Sequence, residues 1–305
     1  MINYLCNIPI IGRIHNSLGG SYAVKTETGV FACRARGLFR KQGLSPLTGD
    51  NVRIELVQSS GKPSDIEGYI VDILPRKNEL RRPPVANLDQ LFMLSSTAKP
   101  RPNLKLLDSL IATAELAGIE PVIIFTKCDL ADGESLAQVY RNCGFKSFAV
   151  SFGSDSNINA IASLLGGKLS AFCGNTGVGK STLLNRIAPG LQLPTGEISE
   201  KLGRGRHTTR HVELFPVAGG WVADTPGFSS FEAERQAELT KDNLAEGFRE
   251  FSRFAHCCRF TDCAHVKDSG CAVIAAVHAG EIPQSRHESY AALYDVLKDK
   301  KDWET

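Results

Sequence analysis

The segment FCGNTGVGKST at residues 172–182 leaves the chain that carries it few ways to fold. Gly174 to Ser181 fit the phosphate-loop pattern G-x-x-x-x-G-K-[ST], between a strand-like LSAFC and a helix-like STLLNRIA. The pattern works only as strand, turn and helix. Backbone N–H groups of Gly174, Asn175, Thr176, Gly177, Val178 and Gly179 then close around phosphate oxygens, and the helix N-terminus favours the same negative charge. Lys180 is placed to reach the β- and γ-phosphates and Ser181 to ligate Mg²⁺, with Thr182 beside them. A Gly-rich turn matching by chance is the bland alternative, and the flanking strand and helix argue against it. Such a unit belongs in an α/β layer with a mostly parallel sheet.

A second segment, FTKCDL at residues 125–130, comes earlier in the chain. The stem of Lys127 suits the face of a purine. The Asp129 carboxylate can accept from both N1–H and the exocyclic amine of guanine, a donor pair that adenine lacks. The usual first residue of this motif is Asn. Thr126 stands there instead, which is expected to loosen the bonds to the base and to the phosphate loop. VSFG at 150–153, with Ser151, follows a further strand and suits a loop backing the base. DTPG, with Asp224 and Gly227, comes after the phosphate loop at a strand end. Asp224 is expected to hold Mg²⁺ through water, and Gly227 N–H to meet a γ-phosphate. Between them lies GRGRHTTRHVEL, residues 203–214, a Gly- and Arg-rich loop suited to switching. Thr209, in preference to Thr208, completes the Mg²⁺ shell in this reading. Phe228 sits where many GTPases carry a water-orienting Gln. The catalytic role therefore passes to another group, and His207 is the best local candidate against a plain solvated loop histidine. Base, base-backing loop, phosphate loop, switch and D-x-x-G is the GTPase order circularly permuted.

The surrounding pattern supports three domains. Residues 1–75 read as all-β, with runs such as SYAVKT, GVFACRA, DNVRIELV and EGYIVDIL between turn residues. A small oligonucleotide-binding (OB) barrel is expected there, an SH3-like barrel fitting almost as well. PRKNELRRPPVAN, opening the 76–232 domain, reads as a linker. From LDQLFMLSS onward, strands alternate with helices such as LKLLDSLIATAELAG, the mark of a doubly wound sheet. After about residue 230 the chain turns helical, giving a mainly α domain at 233–305.

Within that last part lies CCRFTDCAHVKDSGC. Cys258, Cys263, His265 and Cys271 offer three thiolates and an imidazole, a set that encloses a four-coordinate structural Zn²⁺. Cys257 is a spare that could replace Cys258. With four protein ligands no coordination position stays open for catalysis, so the ion would staple a small lobe. Cys6, Cys33, Cys128, Cys143 and Cys173 read as ordinary buried thiols.

The formal net charge of +2 averages over unequal parts. RARGLFRK at 34–41, with Arg34, Arg36, Arg40 and Lys41, and PRKNELRRP at 75–83 are basic blocks suited to a phosphate backbone or, equally, to a solvated strand edge. No apolar run approaches the roughly 20 residues of a membrane helix, and the start lacks a secretory pattern. A cytoplasmic, membrane-free protein is expected.

The permuted motif order, GRGRHTT, CRFTDCAHVKDSGC followed by AV, and the N-terminal RGLFRK…LTGDNV together resemble the ribosome small subunit-dependent GTPase A family over nearly the whole chain. The resemblance implies an N-terminal OB barrel, a permuted GTPase domain and a C-terminal zinc domain. It implies a GTP/GDP cycle stimulated by the small ribosomal subunit during its late maturation, with His207 catalytic, rRNA as partner and the chain acting as a monomer. Gripping of rRNA by the zinc lobe rests on the resemblance alone, because residues 241–305 are slightly acidic. A non-enzymatic rRNA-binding adaptor and an ATP-using enzyme are the competing readings. Asp129 disfavours the second.

Overall fold

The computed structural model describes residues 10–41, 43–57, 66–81, 83–154, 157–191, 212–224 and 239–299. The first five strands are β1 (Ile10–Leu18), β2 (Ser21–Lys25), β3 (Val30–Ala35), β4 (Asn51–Leu56) and β5 (Gly68–Ile73). They pair in the order β1-β2-β3-β5-β4, and β4 returns to β1, closing a barrel. Only β3 and β5 run parallel. The short helix α1 (Leu38–Lys41) lies between β3 and β4 in the chain. This closure is that of an OB barrel and settles the choice against an SH3-like one. Strand alternation fills the interior with Ile14, Val24, Cys33, Val52, Ile54 and Ile70, none of them solvent-accessible.

The segment expected to be a linker instead forms a hairpin, β6 (Glu79–Arg81) and β7 (Pro84–Ala86). The reason is a buried charge. The Asp50 side chain is fully enclosed, and Arg76 donates to it from Nε at 2.8 Å and Nη2 at 2.9 Å. Arg76 also pairs with Glu79, and Lys77 reaches Asp89 at 3.0 Å. The leading cations of that basic block are therefore structural ion-pair partners.

The central sheet comprises β8 (Gln90–Ser96), β9 (Glu120–Thr126), β10 (Lys146–Val150), β11 (Leu169–Cys173), β12 (Glu213–Val217) and β13 (Gly220–Asp224). Its order is β10-β9-β8-β11-β13-β12, parallel except at β12. Every residue of β8 is buried, as expected for a parallel strand covered on both faces. Its Leu91 and Met93 join a core with α2 (Leu104–Leu116) and α3 (Glu134–Asn142). Phe92 and Leu94 point the other way, to a core with α4 (Ile158–Ser163) and α5 (Lys180–Ile187). β12 occupies residues read in the sequence as the end of a mobile loop, and its Glu213 pairs with Asn16 of β1. Barrel and central layer thereby form one eleven-stranded sheet.

Beyond residue 238 the chain makes 3₁₀ turns at Leu244–Gly247, Arg249–Phe251 and Ala255–Cys257, then helices α6 (Ala272–His278) and α7 (Gln284–Lys298). This lobe docks on α2 through a buried ionic cluster. Arg286 has no solvent exposure, and donates to Asp108 at 2.5 Å and to Glu250 at 2.7 Å. Tyr140 OH also donates to Asp108, at 2.9 Å. The Phe248 ring lies 4.5 Å from the Arg286 guanidinium carbon. Truncating Arg286 would strand two buried carboxylates, a situation that typically costs about 3–5 kcal/mol. Arg286→Ala is expected to lose stability on that scale in urea unfolding, whereas replacing Arg286, Asp108 and Glu250 together by Met, Leu and Leu is expected to recover most of it.

Candidate functional site

Parallel strands present their C-terminal loops along one edge, where open α/β sheets bind ligands. TKCD follows β9, VSFG follows β10, the phosphate loop follows β11, and Asp224 ends β13. Only β8 separates β9 from β11, so the base loop and the phosphate loop stand two strand spacings apart, about 10 Å. That is the span between a purine and its β-phosphate.

Thr126 is fully buried, and its Oγ1 donates to Val178 O at 2.6 Å. This corrects the phosphate-loop half of the expectation: the shorter side chain still ties base loop to phosphate loop. Lys127 adopts φ 58°, a left-handed conformation that turns the chain out of β9. Thr97 fixes the turn, its Oγ1 donating to Thr126 O at 3.1 Å and to Lys127 O at 2.8 Å. Lys127 Nζ donates to Lys99 O. Asp129 is exposed, and Ser151 Oγ donates to its Oδ1 at 3.4 Å, linking the base loop to the loop behind it.

The phosphate loop requires glycine at its two ends. Gly174 has φ 147°, and a Cβ there would lie 2.5 Å from Leu94 O of β8. Gly179 has φ 97°, and a Cβ there would lie 2.6 Å from the Phe152 ring. Asn175, Thr176 and Gly177 are exposed between them, while Val178 is buried beneath. Lys180 opens α5, and its Nζ donates to Gly174 O at 2.9 Å, arching over the loop. Ser181 and Thr182 follow, half-buried in the first turn. Cys173 below has its thiol pushed up to about 12 by burial, with Lys180 pulling the other way. Cys33 and Cys143 are likewise buried and raised, to about 11 and about 12, with burial the main cause. Cys128 is half-buried and also raised, chiefly by burial. These are inert packing thiols; Cys6 lies outside the described residues.

His207, Thr208, Thr209, Gly227 and Phe228 lie outside the described residues, and only the backbone of Asp224 lies within them. Three contributors escaped sequence reasoning: Thr97, Phe152 and Arg186. Arg186 of α5 donates to Phe152 O and, at 3.2 Å, to Ser154 O, pinning the base-backing loop to the phosphate-loop helix. The one sequence signal was the Ser-Ser-Thr run ending an otherwise apolar strand. On the barrel, Arg34 is exposed on β3, whereas Arg36 is paired with Glu55. Arg40 and Lys41 lie in α1, with side chains outside the described set.

The four candidate ligand atoms of Cys258, Cys263, His265 and Cys271 all lie within 4.8 Å of one another. Cys258 and Cys271 Sγ are 3.9 Å apart, and each is 3.5 Å from His265 Nδ1. A tetrahedral ion with metal–sulfur bonds near 2.3 Å needs edges of about 3.8 Å between sulfurs and about 3.6 Å from sulfur to nitrogen. The residues fit a metal ion. Backbone N–H groups of Ala272 and Ile274 point at Cys258 and Cys271 Sγ, at 3.4 and 3.5 Å. His287 and Tyr290 of α7 meet the His265 and Ala264 carbonyls at 2.8 and 2.9 Å, holding the ligand loop. Cys257 is exposed and outside this group. Elemental analysis is expected to find one tightly held transition-metal ion per chain. Cys271→Ser is expected to lose it and to lower the melting temperature of the lobe, whereas Cys257→Ser keeps both.

The RsgA GTPase family model matches residues 73–234, and the RsgA N-terminal domain model matches 11–70. A small ribosomal subunit biogenesis GTPase RsgA of Caldanaerobacter subterraneus subsp. tengcongensis is 45% identical, the match covering 96% of this chain and 97% of that protein. One from Geobacillus kaustophilus is 44% identical, over 95% and 98%. The crystal structure of YloQ, a circularly permuted GTPase, superposes with a TM-score of 0.79 at 34% identity, covering 99% of both chains. YjeQ from Thermotoga maritima gives 0.79 at 31%, over 96% and 100%. By family model and by full-length relatives alike, the chain belongs to the RsgA GTPase family.

Proposed function

We propose that this chain is a GTP hydrolase that works on the small ribosomal subunit during its biogenesis. The observation that carries the reading is the single edge of β9, β10, β11 and β13, where a guanine-type acceptor, a phosphate loop and a D-x-x-G strand converge despite their permuted order. The names of the full-length relatives supply the partner. The domains are taken as an OB barrel at 1–75, a permuted GTPase domain at 76–232 and a metal lobe at 233–305. The chain is taken to act as a monomer in the cytoplasm. Among the described residues no helix is long and apolar enough to cross a membrane.

In this reading Asp129 accepts from the guanine N1–H and amine, with the Lys127 stem along the base and Ser151 steadying the carboxylate. The turn from Gly174 to Gly179 donates backbone N–H groups to the phosphates, and Lys180 neutralises them. Ser181, Thr209 and Asp224 are the residues that would hold Mg²⁺, which supplies charge neutralisation at the phosphates. Gly227 N–H contacts the γ-phosphate, and His207 orients the attacking water. Water oxygen bonds to the γ-phosphorus as its bond to the bridging oxygen breaks, leaving GDP and inorganic phosphate. The C-terminal ion is taken as zinc, on three thiolates and one imidazole. Arg34, Arg36, Arg40 and Lys41 on the barrel are the candidates for rRNA contact.

Hydrolysis by the purified chain is expected to rise strongly with small subunits and not with large subunits, and ATP is not a substrate. Binding to the subunit with no rise in turnover would favour a non-enzymatic adaptor, a role that Phe228 in place of a glutamine would suit. His207→Ala is expected to keep GTP affinity and lose the stimulated rate; unchanged stimulation removes His207 from the mechanism. Thr126→Val leaves the Val178 carbonyl unpaired and is expected to weaken GDP binding by about 1–2 kcal/mol in calorimetric titration, with Thr126→Ser close to unchanged.

A further inference from the structure

The outward side of β1 faces the central layer across a cleft of about 330 Å³ that the nucleotide and metal sites do not use. Strand alternation sends Ile14 into the barrel core and leaves Ile11, Arg13 and His15 lining this cleft. Lys25, the Cα partner of Arg13 on β2, stands on one flank, and Asn51, its partner on β4, on the other. Trp221 of β13 forms the opposite wall, edge to face with His15 at 4.4 Å.

Three features of this cleft suit an anion. Arg13 bonds only the neutral Asn51, at 3.3 Å, and among the described residues neither Arg13 nor Lys25 has an ion-pair partner. Among the described residues Glu27 is the one carboxylate on the lining. His15 Nε2 is closed off from water and has no hydrogen-bond partner, an arrangement that folded proteins rarely leave unexplained. Burial chiefly, with smaller contributions from Lys25 and Arg13, holds the imidazole below its usual value. The volume matches the lower end of small-ligand pockets, and an indole wall suits a base beside a phosphate.

We propose that this cleft binds one phosphate-bearing nucleotide of an RNA strand, with Arg13 and Lys25 on the phosphate and Trp221 beside the base. The site touches both layers that β12 and β1 join. Its Trp221 lies on the strand that ends at Asp224. The inference rests on the proposed function only for RNA as the partner; the cleft itself is tested on the free protein without hydrolysis.

The chain has two tryptophans, so Trp303→Phe leaves Trp221 as the sole indole. Fluorescein-labelled oligouridylate is titrated into this full-length variant, with anisotropy reporting binding and Trp221 emission reporting the cleft. Quenching that tracks binding is expected. Adding Arg13→Gln and Lys25→Gln is expected to weaken binding about tenfold and to flatten the salt dependence by about one to two in slope, with melting temperature and unstimulated GTP hydrolysis unchanged. Binding that leaves Trp221 emission unaltered, or that the double variant does not weaken, overturns the proposal. Equal quenching by uridine monophosphate at the same concentration would assign the cleft to a free nucleotide and overturn the strand as its ligand. A chain that binds RNA here yet never hydrolyses GTP would sink the proposed function and leave this site standing.

Discussion

Parallel strands can present their loops at only one edge, and the site depends on that constraint. β8, β9, β10, β11 and β13 run the same way, so every loop after them opens onto the same crevice. Chain order then becomes irrelevant to the chemistry, and a permuted sequence builds an unpermuted site. What order cannot supply is the join between loops far apart in sequence. Here three short contacts make it: Thr126 to the Val178 carbonyl, Ser151 to Asp129, and Arg186 to the carbonyls of the base-backing loop. The first and third contacts join the base-side loops to the phosphate loop and its helix, and the second joins the two base-side loops to each other. Guanine recognition and phosphate binding are therefore parts of one hydrogen-bonded unit.

The C-terminal lobe is joined to that unit by charge as well as by apolar packing. Arg286 and its two carboxylates contribute little net stability compared with a hydrophobic contact of equal volume, but they accept only one geometry. Arg249 repeats the device nearer the surface, between Glu115 and Glu120, with its guanidinium 4.3 Å from the Phe145 ring centre. The same helix α7 that carries Arg286 also braces the metal-ligand loop through His287 and Tyr290. The Cys/His cluster and the central sheet are thus held in one register by one helix.

Motif spacing made the phosphate loop, the base loop and the Cys/His set legible in the sequence, because each is a local pattern with its own backbone requirement. The barrel was legible as alternating strands, but its topology was not, since closure depends on which strands meet. The hairpin at 79–86 read as a linker because its prolines and charges look solvated; nothing local shows that Arg76 answers a buried Asp50. β12 was hidden for a related reason, its partners being β13 and a barrel strand far away in the chain. Thr126 looked like a weakened Asn, and only the placement of Val178 shows that a hydroxyl can span the gap. Nothing local to the basic block at 34–41 shows that Arg36 is paired with Glu55 of β4.

The buried arginine also bears on how the chain is made. Synthesis delivers the barrel first, then β8, β9 and β10 with α2 and α3, then the phosphate loop, and Arg286 close to last. Until the C-terminus emerges, Asp108 sits on α2 with its hydroxyl partner Tyr140 but without its countercharge. A chain that ended before α7 would lack the helix that covers Asp108, and the carboxylate would stay hydrated. The ionic cluster therefore forms only as the lobe meets α2, and Asp108, Glu250 and Arg286 leave water together rather than one at a time.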